Sequence, residues 1–236
     1  MDSNDLPAVS VVIPTLNEAD TIGECLASVG EDRGVEVVVT DGGSTDRTLE
    51  MLAGLRGVRI VRGAAGRGQQ LNRGAAAARA PVLLFLHADC RLPAGWRAAI
   101  ERELGDSRTV LACFRLRTES ENGIPDSALR RLWLRLLDLR SWTPRLPYGD
   151  QGFALRRDTY ERIGGFPEIP LMEDVVLARA CRALGRICRV PLDMSTTARR
   201  FERHPVRTRL MTATFPWLFR FCVPPSKLAD WYRNVR

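Results

Sequence analysis

The sequence predicts an α/β protein with a mostly parallel sheet flanked by helices. Three observations carry that reading. Residues 9–13 (VSVVI), 35–40 (VEVVVT) and 82–86 (VLLFL) are strongly apolar runs, as expected of strands buried on both faces. Each runs directly into a polar stretch: Pro14-Thr15-Leu16-Asn17-Glu18, the DGGSTD of residues 41–46, and His87-Ala88-Asp89. Helical segments separate the runs, and a repeated βα order implies right-handed crossovers and parallel pairing.

In chain order, the strand at 8–13 leads to a helix over about 19–29, and the strand at 35–40 to a helix over about 46–55. A short strand at 58–62 leads through a glycine-rich turn to an alanine-rich helix over 70–79. The strand at 82–86 follows. Pro93 suits the first turn of the next helix, to residue 104, and residues 109–118 read as another strand. The second half is less regular: an amphipathic helix over 129–140, a polar turn entering a short strand over 149–155, a Gly-Gly-Phe-Pro loop at 164–167, and a helix over 174–184 ended by Gly185. The tail, 206–236, reads as helical but broken at Pro216 and Pro224-Pro225. These features place one domain over 1–205 and a helical extension over 206–236, packed on the domain or at an interface.

Composition narrows the function classes. The chain is 45% hydrophobic and 27% charged, which excludes disorder. Its net charge is +7, and among 35 basic residues Lys227 is the sole lysine. Arginine binds phosphate oxygens in pairs, so nucleic acid, an anionic membrane and a phosphorylated small molecule all stay open. The six cysteines show no CxxC pair and read as reduced, mostly packing residues of a cytoplasmic protein. No apolar run approaches a membrane span.

In an open parallel sheet the ligand lies beyond the carboxyl ends of the strands. Three strands delivering carboxylates and amides to one edge describe a site for a polar ligand, a metal ion included. Asn17 and Glu18 can meet a base or ribose, and equally can cap the next helix. Asp41 can bond a nucleoside hydroxyl while Gly42 and Gly43 allow close backbone approach; a tight turn with Ser44 and Asp46 as capping residues explains the same residues. The glycine-rich 63–68 stretch places Arg67 and Gly68 at a helix N-terminus, where phosphate is attracted. Its spacing fits neither GxGxxG nor GxxxxGK[ST]. Asp89, after a strand, can take a hard cation or simply cap. Glu173 and Asp174 open a helix, which suits its dipole, and either carboxylate there can take a proton from a hydroxyl.

The order of these pieces resembles the inverting glycosyltransferases of family 2, which have the GT-A, Rossmann-like fold. The resemblance rests on PTLNE (14–18), DGGSTD (41–46), GRGQQLNRG (66–74), HAD (87–89), GDQGFALRR (149–157), IGGFPE (163–168) and MEDVVLARACRALG (172–185). More narrowly, residues 148–151, 167–174 and 196–202 resemble a small bacterial subgroup linked to radical-SAM or arsenosugar biosynthesis. The resemblance implies a nucleotide-sugar donor, UDP-linked by default, and a hydroxyl acceptor that is a small molecule or lipid-linked. It implies that Asp41 contacts the nucleoside and that Pro14, Thr15, Asn17 and Glu18 line base and ribose with Gly42 and Ser44. Arg67, Gly68, Gln70 and Asn72 would lie near ribose and diphosphate, with His87 and Ala88 beside them. Asp89 would hold Mn2+ or Mg2+, and Asp174 would be the general base, with Glu173 its rival and Asp150 a third candidate. His87 departs from the family pattern: it stands where the first acid of a DxD motif is usual, and removes one negative charge. Arg199 and Arg200 would neutralise the leaving diphosphate. His204 would be either a metal ligand or part of a surface turn.

Residues 129–140 and 215–223 combine apolar and arginine side chains, consistent with helices packed on the core, a homodimer contact, or peripheral contact with an anionic membrane. Two other functions compete. A nucleotidyltransferase would need a glycine-rich basic loop after the first strand, where PTLNE stands. A binding protein with a decayed catalytic site would still hold a nucleotide-sugar. Nucleic acid is disfavoured, because no basic stripe interleaved with aromatics precedes residue 129.

Overall fold

The computed structural model describes residues 6–119, 147–198 and 205–233, together with Arg135 and Asp138. The helix expected over 129–140 lies outside them apart from those two helical residues. Asp138 is buried, and its carboxylate accepts from the N–H and hydroxyl of Thr118 at 3.0 and 2.6 Å.

An eight-stranded sheet forms the centre, in the order β3-β2-β1-β4-β7-β6-β8-β5. The strands are β1 (Val9–Thr15), β2 (Val35–Asp41), β3 (Val58–Arg62), β4 (Val82–Phe85), β5 (Cys90–Arg91), β6 (Thr109–Glu119), β7 (Phe153–Arg156) and β8 (Arg186–Thr197). The helices are α1 (Ile22–Val29), α2 (Thr48–Ala53), α3 (Arg67–Ala77), α4 (Trp96–Gly105), α5 (Arg157–Arg162), α6 (Glu173–Leu184), α7 (Pro205–Arg220) and α8 (Pro225–Arg233). β1 pairs in parallel with β2 and β4, and β2 with β3. β7 runs antiparallel to both β4 and β6, while β6 and β8 are parallel. The four parallel strands β1–β4 therefore end at one edge. The antiparallel β7 begins at that same edge, where a 3-10 turn (Gly149–Gln151) leads into it.

The continuous apolar character of β1 follows from burial on both sides. Val9, Val11 and Ile13 pack with Ile22, Cys25, Leu52, Trp96 and Ile100, from α1, α2 and α4. Val12 points the other way and packs with Leu71, Phe85, Phe153, Leu177 and Cys181. A third, smaller cluster joins Met211 and Phe215 of α7 to Leu228 of α8, with Leu171 and Met172 packed against it. The tail thus packs on the loop that precedes α6.

Several expected boundaries move for local reasons. α1 starts at Ile22, because Asn17 takes a left-handed φ of 57° and the Glu18 carbonyl accepts from Thr21 and Ile22. α4 starts at Trp96 because Gly95 has φ 75°. Pro216 lies inside α7 instead of breaking it. The helix ends at Cys222 (φ 64°), where the Val223 N–H returns to the Leu218 carbonyl as in a Schellman-type cap. β5, α5 and β8 were not expected. In β8 the register jumps from Cys113↔Arg189 to Arg115↔Asp193. Pro191, which cannot donate to a ladder, falls in that bulge.

Candidate active site

The loops at the carboxyl edge enclose a cleft of about 190 Å3. Its polar wall carries Thr15, Glu18, Arg67, Gln70, His87 and Asp89; Pro14 and Ala88 contribute beside them, and Leu171 and Tyr232 close the far side. A second cavity of about 100 Å3 adjoins it and shares Arg67, Leu171 and Tyr232. Asp174 lies in this second cavity with Tyr148, Met172, Met211, Phe215 and Pro216.

Asp174 is held by two backbone donors. Its Oδ2 accepts from the Gly149 N–H at 2.7 Å and its Oδ1 from the Val175 N–H at 2.7 Å. Met172, immediately before α6, has φ 72°, a conformation that costs a non-glycine residue energy and recurs at functional sites. Burial pushes the Asp174 carboxyl up to about 6, the neighbouring Glu173 carboxylate pushes the same way, and the Gly149 N–H and Arg67 oppose both. Glu173 is buried, and its Oε1 lies 3.2 Å from Arg67 Nη1. A Cβ placed on Gly149 would lie 3.3 Å from both Asp174 Oδ2 and His87 Nε2. The donor end of the cleft and the Asp174 carboxylate therefore converge on one glycine.

Not every expected site residue lines the cleft. Asp41 is buried and closes its own loop: Oδ2 accepts from the Gly43 and Ser44 N–H groups at 2.8 and 3.0 Å, and Oδ1 from the Ser44 hydroxyl. Asn17 ties this loop to the first, accepting from the Thr45 N–H at 2.8 Å. Ser44 Oγ accepts from the Asn17 N–H at 3.0 Å. Gln70 lines the cleft but spends its amide on the sheet, donating to the Thr15 and Thr40 carbonyls at 2.9 and 2.8 Å. Gly42 packs against that amide. Asn72 points away, bonded to Phe166 through both amide atoms and accepting from the Tyr160 hydroxyl at 2.6 Å. The Asp150 carbonyl accepts from Cys90 Sγ, which also faces Asp89. Burial first, then the Asp89 and Asp150 charges, pushes the Cys90 thiol well up. Arg199, Arg200 and His204 lie outside the described residues.

Gly68 has a packing role. A Cβ there would fall 2.4 Å from the Pro167 carbonyl oxygen, so only glycine lets α3 approach that loop. Gly68→Ala should lower stability by roughly 1–3 kcal/mol, or about 2–10 °C in Tm. A thermal melt matching the parent protein would show that α3 and the loop are not in contact.

Tyr232, Leu171, Met211 and Phe215 line the two cavities, and none was expected from sequence as a residue of the site. Three belong to the tail, which folds back from far along the chain, and no local motif marks such a return.

A model of the family described as "Glycosyl transferase family 2" matches residues 10–164. The chain belongs to that family. The glycosyltransferase AglJ of Haloferax volcanii is 34% identical over 83 residues, covering 35% of this chain and 27% of that protein. A PGL/p-HBAD biosynthesis glycosyltransferase of Mycobacterium tuberculosis is 40% identical over 91 residues, covering 35% and 36%. The chain spans well under half the length of these curated relatives. Among solved structures, the mannosyltransferase PcManGT of Pyrobaculum calidifontis, in complex with GDP-Man and Mn2+, matches with TM-score 0.64 at 20% identity, over 98% of this chain and 70% of that one. S. aureus TarS 1-349 in complex with UDP-GlcNAc matches with TM-score 0.59 at 20% identity, over 80% and 58%. At these identities the likeness establishes the fold: the mixed α/β, helix-flanked sheet of the GT-A class.

Proposed function

We propose that this chain transfers a sugar from a nucleotide-diphosphate sugar to an acceptor hydroxyl, with inversion at the anomeric carbon. The observation that carries the reading is the Asp174 carboxylate, oriented by the Gly149 N–H and set where a donor cleft and a second cavity share Arg67. Asp174 takes the proton of the acceptor hydroxyl. The oxygen bonds to the anomeric carbon on the face opposite the diphosphate, whose bond to that carbon breaks. The electron pair leaves with the diphosphate, and Arg67 offsets the charge that develops there. Gln70 and the Asp41 loop hold the strand ends in register, a positioning role. Relatives described as glycosyltransferases, and neighbours bound to UDP-GlcNAc and GDP-Man, support the donor class. The narrower bacterial-subgroup resemblance belongs to this proposal too.

The donor set fits a cation shared with substrate. Asp89 and His87 line the donor end, while no group of three or more His, Cys, Asp or Glu able to hold a metal occurs among the described residues. Asp89 and His87 would be the protein ligands of a divalent ion held together with the donor, and the imidazole would favour Mn2+ over Mg2+. Such an ion supplies charge stabilisation for the leaving diphosphate.

A thermal-shift screen with UDP- and GDP-sugars, with and without Mn2+, tests the reading. A ligand at a hundredfold its Kd adds about 2.7 kcal/mol, or roughly 5–10 °C at this size. Asp89→Ala should abolish the Mn2+-dependent part of that shift. The anomeric configuration of the product, read by NMR, checks inversion. Binding without any transfer or slow donor hydrolysis would favour the alternative, a nucleotide-sugar-binding protein whose departure at His87 ended catalysis.

A further inference from the structure

Helix α7 carries more apolar surface than packing among the described residues uses. Met211 and Phe215 face inward, closing on Leu171, Met172 and Leu228. In a second set, Leu210 and Trp217 are spaced i and i+7 and share one side of the helix, and Phe221 follows in the turn just past its end. These side chains are 62%, 63% and 72% exposed. Trp231 of α8, whose ring centroid lies 6.4 Å from that of Phe215, is 47% exposed. An exposed stripe of large apolar side chains is normally covered by something.

The surrounding charge says what covers it. α7 carries Arg207, Arg209 and Arg220 and no acidic residue. Arg220, next to Phe221 in the chain, and Lys227 of α8 are exposed, with Asp230 as the exposed acid among the described residues of α8. Aromatic side chains interleaved with cations are the pattern of helices lying in the interface of an anionic bilayer. A symmetric dimer through the same face would instead set these cations against their own copies.

Position connects this face to the chemistry. Inward residues of α7, namely Met211, Phe215 and Pro216, wall the cavity that holds Asp174. Among the described residues that line it, polar side-chain atoms come from Arg67, Tyr148, Asp174 and Tyr232 alone. The remaining described lining, Leu171, Met172, Met211, Phe215 and Pro216, suits an apolar chain carrying a hydroxyl. We infer that the outer face of α7 and α8 rests on an anionic lipid bilayer, and that the acceptor is a bilayer-resident amphiphile whose hydroxyl reaches Asp174 through this apolar cavity. The second half of the inference rests on the transferase reading, and the first half does not.

Flotation of the full chain with phosphatidylglycerol vesicles and with phosphatidylcholine vesicles tests the surface. Expected is flotation with the anionic vesicles, reduced by high salt, and a roughly tenfold or greater loss of bound protein in the Trp217→Glu/Phe221→Glu double variant. The variant's Tm and its nucleotide-induced rise in Tm certify that it is folded. No flotation at low salt, or equal flotation of the variant, overturns the inference, as does a stable dimer in solution that the double variant dissolves. The acceptor arm uses dodecanol-doped phosphatidylglycerol vesicles and whichever nucleotide-sugar stabilises the protein. Sugar should pass to the alcohol in preference to free glucose, and preference for glucose overturns the acceptor class. Flotation without any nucleotide response would defeat the transferase reading while upholding the bilayer contact; sugar transfer or donor hydrolysis without flotation would do the reverse.

Discussion

Asp174→Asn is expected to lower sugar transfer by about 10²–10⁴-fold, the usual loss for a positioned general base, while donor affinity changes little. The amide keeps an oxygen for the Gly149 N–H and gives up the bond from the Val175 N–H, so the backbone holds its shape with one hydrogen bond fewer. Stability should move the other way. Burial and Glu173 raise the Asp174 carboxyl from 3.8 to about 6. In the unfolded chain this group gives up its proton first, so the folded state loses relative stability as pH rises from about 4 through 6. Above that window the parent protein carries a costly charge that asparagine does not. The variant should therefore be more stable near pH 7.5, by roughly 1–3 kcal/mol, and no more stable below pH 3.8. Transfer by the parent should rise with pH through about 6 and then level, since the base must be unprotonated. A variant that kept a tenth of the parent kcat would remove Asp174 from the role of base.

What the sequence revealed depended on how local each signal was. Strands β1, β2 and β4 were legible because burial on both faces makes most of their residues apolar. Their polar ends were legible as one edge because parallel pairing sends successive loops the same way. Asp41 shows the limit of that reading. Its carboxylate closes the turn it begins, and the same Asp-Gly-Gly-Ser string would serve a ligand or a turn equally well. Asn72 is a second case, placed on the correct helix but turned toward Phe166 and Tyr160. β8 was hidden because its charged residues and Pro191 break the alternation that marks a half-buried strand. Asp174 and His87 both approach Gly149, a convergence of the start of α6 with two separate loops. The tail's part in both cavities is equally non-local: Tyr232 reaches Leu171 and Arg67 only once α7 and α8 fold back.

Arg67 and Glu173 separate structural from catalytic charge. Arg67 is about a quarter exposed in its side chain and Glu173 nearly fully buried, so taking away the guanidinium leaves a buried carboxylate poorly compensated. Breaking such a pair costs about 3–5 kcal/mol when both groups are buried; solvent at Arg67 reduces this to roughly 1–3 kcal/mol. Arg67→Gln should destabilise the protein by that amount and lower kcat/KM by about 10²-fold, because a cation facing the leaving diphosphate is gone. Glu173→Gln should retain most activity. The double variant Arg67→Gln/Glu173→Gln should recover the lost stability and none of the lost rate, since the stability term belongs to the pair and the rate term to the guanidinium alone. The acid limb of the pH profile supplies an independent readout. Glu173 raises the Asp174 carboxyl and Arg67 lowers it, so the limb should move to lower pH in Glu173→Gln and to higher pH in Arg67→Gln. If the double variant regained its rate together with its stability, Arg67 would be a scaffold residue, and the charge on the leaving group would have to be met elsewhere in the cleft.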